Sequence, residues 1–470
     1  MNNKKDCLII GYYGSDMRER LDRRNELMNR HPMVKAKNYV NSNYVRVCYE
    51  IAEMGSFLQQ ESITFAYAVS FLDDKAYIQK VIREKVDYVC ILTRYFTDIR
   101  QYQKIISFIR EEDPSIAVVV GSGFLVNAIK KLEKPNEYQY FLNRIGADYY
   151  INKFEFSYEF SQIVQANREE ARLREIHNLF YEKDGRYRAT RQDENPIGHP
   201  VKAVDWSRFQ DLIKPVTAMK TTISCPLHCS FCAVKSRTEK YQLLDLELIR
   251  QEILHIQRYN VTRLIHFVDE TINLPRWRFK LLLEMLIGLP TPIRWCSFVN
   301  VSYLDEEIVV LMKKSGCVAV MIGFESGCNE ILKSMHKQTT VAVMRKNHAL
   351  LKKYGILTYG FFIVGFPGET EATVQQTVDF IEQAQPTFFK IHKWACEPGT
   401  DIWNERDRWK LKYRNGDFFH ATMDSFQADR LISQAYSKIG NSISIEHTDF
   451  LLTLQPYLDG ASLEVIQQLI

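Results

Sequence analysis

Short apolar runs recur along the first third of the chain, as CLIIGYYG, VDYVCILT, SIAVVVGSG and ADYYINK, and longer stretches with apolar residues at three- and four-residue steps lie between them. Such alternation predicts parallel strands wrapped by helices, an open, doubly wound α/β domain over residues 1–165. Gly121 and Gly123 follow the run IAVVV, at the carboxyl end of a strand. Open sheets bind ligands at that edge, and a plain turn uses the same residues.

From 166 to 205 the chain turns polar and charged, in NREEARLREIH and EKDGRYRATRQDENPIGHP, and reads as a linker with one helix. A second, more regular series follows over 206–400: PVTAMKTTIS, TRLIHFVDE, IRWCSFVN, CVAVMIGFES, LTYGFFIVGF and FFKIHKWACEP. These six runs predict six strands. Between them, helical periodicity fits 246–257, with Leu246, Ile249, Ile253 and Ile256 on one face and Asp245 as cap, and also 276–288, 304–315, 340–354 and 370–384. Alternation of this regularity predicts a partial (β/α)6 barrel, whose chemistry gathers at the carboxyl ends of its strands. The remaining 401–470, with Trp403, Trp409 and Phe418, forms an extension for substrate recognition or for packing.

At 470 residues and 46% hydrophobic content the chain is long enough for several full cores. Its 61 basic and 57 acidic residues give a net charge of +4 without a dense basic stripe, which argues against nucleic acid as a partner. The first eleven residues hold no signal-peptide pattern and no run long enough to span a bilayer, so a cytoplasmic protein without a membrane partner is expected. In a reducing compartment the ten cysteines should be free thiols or ligands.

Three of them cluster in SCPLHCSFCAVKSR: Cys225, Cys229 and Cys232 follow the first barrel run and so occupy the loop at the catalytic rim. Three thiolates can hold three irons of a four-iron, four-sulfur cluster and leave the fourth iron open to a small molecule. The rival is structural zinc with His228 as fourth ligand, although such sites usually draw on two separated knuckles. Unligated core cysteines are the remaining alternative.

The pattern Cys-x-x-x-Cys-x-Φ-Cys, with Phe231 as its aromatic, resembles the signature of the radical SAM superfamily. The resemblance implies a 4Fe-4S cluster, S-adenosyl-L-methionine chelated by the open iron, and reductive cleavage to a 5'-deoxyadenosyl radical that abstracts a substrate hydrogen. An electron donor such as flavodoxin or ferredoxin is then a partner. FVDET places Asp269 and Glu270 where relatives hold the methionine amino group, although their Gly-Gly-Glu triplet is absent. GFESG places Glu325 and Ser326 where relatives hydrogen-bond the ribose. In GFFIVGFPGET, Ile363 and Gly365 fit the segment that passes the adenine, and Phe361 departs from a common glycine. No cysteine follows Cys396, so an auxiliary-cluster module is not expected, nor is methylthiolation.

An α/β domain before such a barrel resembles the cobalamin-binding subfamily, which admits cobalamin as a further cofactor. The Asp-x-His-x-x-Gly motif of cobalamin ligation is absent: His31, His177 and His199 lie in other contexts. DCLIIGYYGSD and the chain length resemble a group containing phosphinate P-methyltransferases and proteusin-type peptide epimerases. Cys396 in KIHKWACEPGT ends the sixth run, where a buried, protonated thiol suits a hydrogen donor to a peptide radical; a small core residue is the alternative. Cys328 is the next candidate, Cys296 and Cys317 read as core, and Cys7, Cys48 and Cys90 belong to the first domain. The function expected from the sequence is therefore epimerisation of L to D residues in a ribosomal precursor peptide. The alternative is cobalamin-dependent C- or P-methylation, and a catalytically silent peptide-binding protein is the third possibility.

Overall fold

A computed structural model describes residues 4–14, 25–26, 39–92, 98–121, 123–132, 134–193, 203–234, 240–414 and 416–469. The chain divides into two compact units, the first containing residues 43–214 with the opening strand and the second containing 39–42, 215–234 and 241–469.

The first unit is built on strands β1 (Lys5–Tyr12), β2 (Phe65–Ser70), β3 (Val86–Leu92), β4 (Ala117–Gly121), β5 (Tyr149–Ile151), β6 (Leu179–Lys183) and β7 (Arg186–Ala189). Their order in the sheet is β2-β1-β3-β4-β5-β6-β7. The first five are parallel, with Ile9 of β1 opposite Tyr67 on one side and Cys90 on the other. Continuous burial along β3 and β4 explains why these strands read as unbroken apolar runs: helices cover both faces of a parallel sheet. One such helix, Ile99–Glu112, buries Tyr102, Ile105, Ile106 and Ile109 on a single stripe and is capped by Asp98, whose carboxylate accepts from the Arg100 amide at 2.9 Å.

The segment read as a linker belongs to this sheet. β6 runs antiparallel to β5, β7 antiparallel to β6, and the pair extends the sheet past its parallel core. Only Leu179, Phe180, Tyr181 and Tyr187 of the hairpin are buried, so its polar face masked it in the sequence. Beyond it, Phe209 stacks on Phe65 at 6.1 Å and fills the space left by Gly55, where a Cβ would stand 2.6 Å from the Phe209 ring. Gly121 is explained likewise: its missing Cβ admits the Phe156 ring at 2.8 Å, so packing accounts for the glycine at this strand end.

In the second unit, β8 (Val216–Met219) is followed by a two-residue ribbon of β9 (Thr222–Ile223) and β10 (Gln242–Leu243). Then come β11 (Leu264–Phe267), β12 (Trp295–Val299), β13 (Cys317–Glu325), β14 (Leu357–Val364) and β15 (Phe388–Lys393). An antiparallel pair, β16 (Lys412–Arg414) and β17 (Asp417–Phe419), and a final short strand, β18 (Ile443–Ser444), complete the set. The large sheet has the order β18-β15-β14-β13-β12-β11-β8, parallel throughout. The six expected strands are present, and β18 adds a seventh too short to give a sequence pattern.

The intervening helices are Leu246–Gln257, Arg276–Ile287, Glu306–Lys314, Val341–Lys353 and Glu371–Ala384. Asp245 caps the first as expected, accepting from Glu247 and Leu248 amides at 2.8 and 3.2 Å. On β14 the alternation of side chains decides which residues face the helices: Phe362 packs with Phe324 and with Phe380 of Glu371–Ala384. Tyr359, Phe361 and Ile363 therefore face the barrel interior. Residues 401–414 and 416–469 belong to this unit: the helix Phe450–Leu458, buried along most of its length, sets Phe450 against Tyr359 and Phe388. No described helix is long and apolar enough to cross a membrane.

Candidate functional site

Cys225, Cys229 and Cys232 are half-buried in the loop that leaves β8 and β9. Three sets of bonds hold this loop. At its root, the buried Asp269 accepts through Oδ1 from the Thr221 amide at 2.8 Å, the Thr222 amide at 2.5 Å and the Thr222 hydroxyl at 2.7 Å. In its middle, Ser230 donates from its amide to Met335 O at 3.0 Å and from its hydroxyl to Ser334 O at 3.1 Å, and its own carbonyl accepts from Ile402. Between the second and third thiols, the Cys232 amide closes a turn onto Cys229 O at 3.1 Å. Ser224, just before the first cysteine, has φ +66°, the left-handed region few non-glycine residues adopt.

The three thiols are free, and among the described residues no three His, Cys, Asp or Glu side chains converge on one metal position. Three thiolates on one short loop supply three of the four iron ligands of a four-iron cluster and leave the fourth iron open. His228, the fourth ligand of the zinc alternative, stands exposed on the loop. The donor set fits a cluster. Burial raises the pKa of all three thiols, Cys232 to about 12, so deprotonation calls for a cation to replace the proton.

Beside the loop stands an ion pair that joins an expected group to one the sequence did not flag. Glu325, at the end of β13, holds the Lys337 ammonium at 2.8 Å, with about a tenth of each side chain exposed. Burial alone would lower the lysine's pKa, but the charges of Glu325 and Cys229 hold it above its ordinary value. Glu325 reaches this place through a register shift between Gly323 and Glu325 and a φ of +67°. A Cβ at Gly323 would lie 2.2 Å from the Glu325 carboxylate, so the glycine makes room for it.

The adjacent carboxylates of β11 divide sharply. Asp269 is fully buried and committed to the loop root, with its pKa raised by burial and its Oδ2 without a protein partner. Glu270 is exposed, and its charge acts on Cys225 and Cys232. Thr271 joins them, accepting from the Cys225 thiol at 3.6 Å and donating to Glu270 O at 2.6 Å.

Ser326 is fully buried, its hydroxyl accepting from the Cys328 amide and sharing a bond with Thr377. Phe231 meets Phe366 edge-to-face at 6.4 Å. Ile363 is half-buried on the interior face of β14. Gly365, at φ +99°, donates to Glu369 Oε2 at 2.7 Å and passes so close to Phe418 that a Cβ would lie 2.4 Å from that ring. Cys396 is fully buried three residues past β15, its thiol pushed up to about 12 by burial, with the Glu397 charge adding. Cys328 is buried at the start of the helix Asn329–Ser334, and Cys296 and Cys317 are core as expected.

Sequence reasoning missed Lys337 and the interior aromatic wall. There the Phe361 ring lies nearly parallel to His392 at 5.9 Å, and His447 meets Phe361 at 5.4 Å and Phe298 at 5.9 Å. Alternation along β15 could have flagged His392; nothing in the local pattern marks Lys337.

Residues 219–381 match the family model of the Radical SAM superfamily. Among curated proteins, the chain is 33% identical over 213 residues to a bacteriochlorophyllide d C-12(1)-methyltransferase of Chlorobaculum tepidum, covering 43% of this chain and 44% of that protein. It is 27% identical to an uncharacterised methyltransferase of Pyrococcus horikoshii, covering 52% and 55%. The chain thus spans about half the length of the curated relatives it matches. Among solved structures, the fold is shared with TsrM of Kitasatospora setae, a radical S-adenosylmethionine methyltransferase with cobalamin and a [4Fe-4S] cluster bound, at TM-score 0.64 and 16% identity, covering 85% of this chain and 74% of that one. It is shared also with OxsB, a cobalamin-dependent S-adenosylmethionine radical enzyme, at TM-score 0.67 and 13% identity, covering 92% and 66%.

Proposed function

We propose that the protein is a cobalamin-dependent radical SAM methyltransferase, a reading supported by the match of residues 219–381 to the radical SAM family model. The observation that carries this reading is the pairing, in one chain, of the three-cysteine barrel with a parallel sheet of order β2-β1-β3-β4-β5. That order reverses at β1, and such reversal opens a crevice at the carboxyl ends of β1 and β3, the place where open sheets receive a large planar cofactor. None of the described residues at that edge is a histidine.

When bound, the cluster and S-adenosylmethionine supply a carbon radical, and the corrinoid supplies a methyl group. The chain's own residues position these groups. Cys225, Cys229 and Cys232 hold the cluster; Asp269 fixes the root of their loop; Glu270 receives the amino group of the cofactor. Lys337 and Glu325 present a charge pair at the same rim. The wall of Phe298, Phe361, His392 and His447 favours a substrate with a flat or apolar face.

The relatives of Chlorobaculum tepidum and Pyrococcus horikoshii are named as methyltransferases, and that favours the alternative raised from sequence over the epimerase first expected. Nothing in the comparisons supports epimerisation or a precursor-peptide substrate. Cys396 keeps the second reading open to test, since burial holds its thiol protonated as a hydrogen donor requires. The test is retention of corrinoid: protein produced with cobalamin available should keep it through gel filtration and show its visible spectrum. Inversion of a peptide Cα by corrinoid-free protein, lost in Cys396→Ala, would reinstate epimerisation.

A further inference from the structure

The helix Arg276–Ile287 carries a cation on its apolar face: Arg278 is buried together with Phe279, Leu282, Leu283 and Leu286. Two residues earlier, the exposed Arg276 pairs with Asp305 at 2.6 Å and with Glu307 at 2.7 Å. Arg278 has no ion pair among the described residues. Its Nη2 donates to Leu244 O at 2.5 Å, and its Nη1 is buried without a protein partner. An arginine keeps its charge, so burying one without a counter-charge is costly.

Asp269 has the complementary lack. It is 2% exposed, its three bonds all end on Oδ1, and no cation pairs with it among the described residues. Oδ2 is buried without a protein partner. Elsewhere buried charges meet directly, as Lys337 meets Glu325 and Lys153 meets Glu159. Burial lowers the Arg278 pKa, and the Asp269 charge is the strongest influence opposing it.

The two side chains are also joined through the backbone between them. Leu244, held by Arg278, donates its amide to Thr221 O at 3.0 Å, and Thr221 donates its own to Asp269 at 2.8 Å. Leu243 pairs with Thr222 across the ribbon of β9 and β10. Tyr241 fastens the same ribbon from its other end, donating its hydroxyl to Leu274 O at 2.5 Å. Arg278 and Asp269 thus grip the two sides of one ribbon, and that ribbon leads into Cys225.

We propose that Arg278 is a positioning residue: it is the buried counter-charge of Asp269, and the two together clamp the β9–β10 ribbon and fix where the three-cysteine loop leaves the barrel. The inference rests on the radical SAM reading only for what the loop holds. Without the cation, Asp269 becomes an uncompensated buried carboxylate, and its bonds to Thr221 and Thr222 give way.

The test compares Arg278→Gln, which keeps an N–H for Leu244 but drops the charge, with Arg278→Lys, which keeps the charge. Hydrogen exchange of the metal-free proteins is read by mass spectrometry at the Thr221 and Thr222 amides, with β14 as a control for global unfolding. Exchange at the two threonines should be about tenfold faster in Arg278→Gln and within about threefold of wild type in Arg278→Lys. Asp269→Asn/Arg278→Gln, which leaves neither charge buried, should return to within about threefold of wild type. Arg278→Gln that exchanges like wild type, Arg278→Lys as fast as Arg278→Gln, or a double variant no better than the single would each overturn the clamp. Should Arg278→Gln also exchange faster in β14, rescue of both regions by the double variant supports the clamp and failure of that rescue overturns it. After reconstitution with iron and sulfide, iron retained through gel filtration should fall about twofold in Arg278→Gln and recover in the double variant. A loosened ribbon with wild-type iron retention would overturn the positioning role. A wild type that takes up no iron would overturn the barrel reading, a result read apart from the exchange data, which need no metal.

Discussion

The two parallel sheets solve the problem of site-building in opposite ways. In the first, strand order reverses at β1, and the crevice arises from topology. In the second, each strand follows its predecessor without reversal, and the site arises from side chains at strand ends: the thiols after β8, Asp269 and Glu270 after β11, Glu325 at the end of β13. A topological crevice suits a large prefabricated cofactor held by backbone and shape. A ring of strand ends suits chemistry that depends on individual charges.

The largest expected effect separates the two sheets outright. Replacing Cys225, Cys229 and Cys232 with Ala should abolish the iron-sulfur absorption and all S-adenosylmethionine cleavage while leaving corrinoid retention by the first sheet intact. Loss of both together would mean that the sheets do not act independently. Next comes the charge pair: Lys337→Met strands a buried carboxylate and should cost about 3–5 kcal/mol in urea unfolding, and Glu325→Gln/Lys337→Met should recover much of it. Recovery of stability without recovery of S-adenosylmethionine binding would assign the pair to function; recovery of both would make it structural.

Glu270→Gln should weaken S-adenosylmethionine binding by about 1.5–3 kcal/mol, read by calorimetry, because a charge-assisted bond to an ammonium is lost. An unchanged affinity would return the role to Asp269, whose Oδ2 lacks a protein partner. The smallest effect lies away from the thiols. Burial raises the Glu369 pKa to about 8 in the folded protein, although its Oε2 accepts from the Gly365 and Phe366 amides at 2.7 and 3.0 Å. The folded state therefore binds this proton more tightly than the unfolded one. Its contribution to stability is full below the ordinary carboxylate range and is lost as pH rises through about 8. Wild type should lose roughly 2 kcal/mol between pH 6 and 8 from this group, and Glu369→Gln should flatten that slope while keeping both amide bonds. Parallel pH profiles for the two proteins would show that the carboxyl stays ionised.

The legible parts of this molecule are those whose physics is local. The helix Leu246–Gln257 is bounded as its apolar steps and Asp245 cap require, and the cysteine loop falls at a strand's carboxyl end because the run before it is continuous. The hairpin of β6 and β7 was hidden because it is a sheet edge with one wet face. Asp269 and Glu270 are neighbours in sequence, and only the end of β11 decides that one is buried in the loop root while the other is exposed with its charge acting on the thiols. Lys337 was invisible for a related reason: its partner is defined by a left-handed residue and a register shift that no periodicity encodes. Cys396 was expected to be buried and protonated, and it is, but burial alone is shared by core cysteines such as Cys296.

The most direct test of the account joins both sheets in one measurement. Protein produced with cobalamin, reconstituted with iron and sulfide, and given S-adenosylmethionine carrying a deuterated methyl group is separated from free cofactors, and its corrinoid fraction is analysed by mass. The account predicts about one corrinoid per chain, labelled with the deuterated methyl. A protein that cleaves S-adenosylmethionine yet retains no corrinoid would contradict methyl transfer as its function.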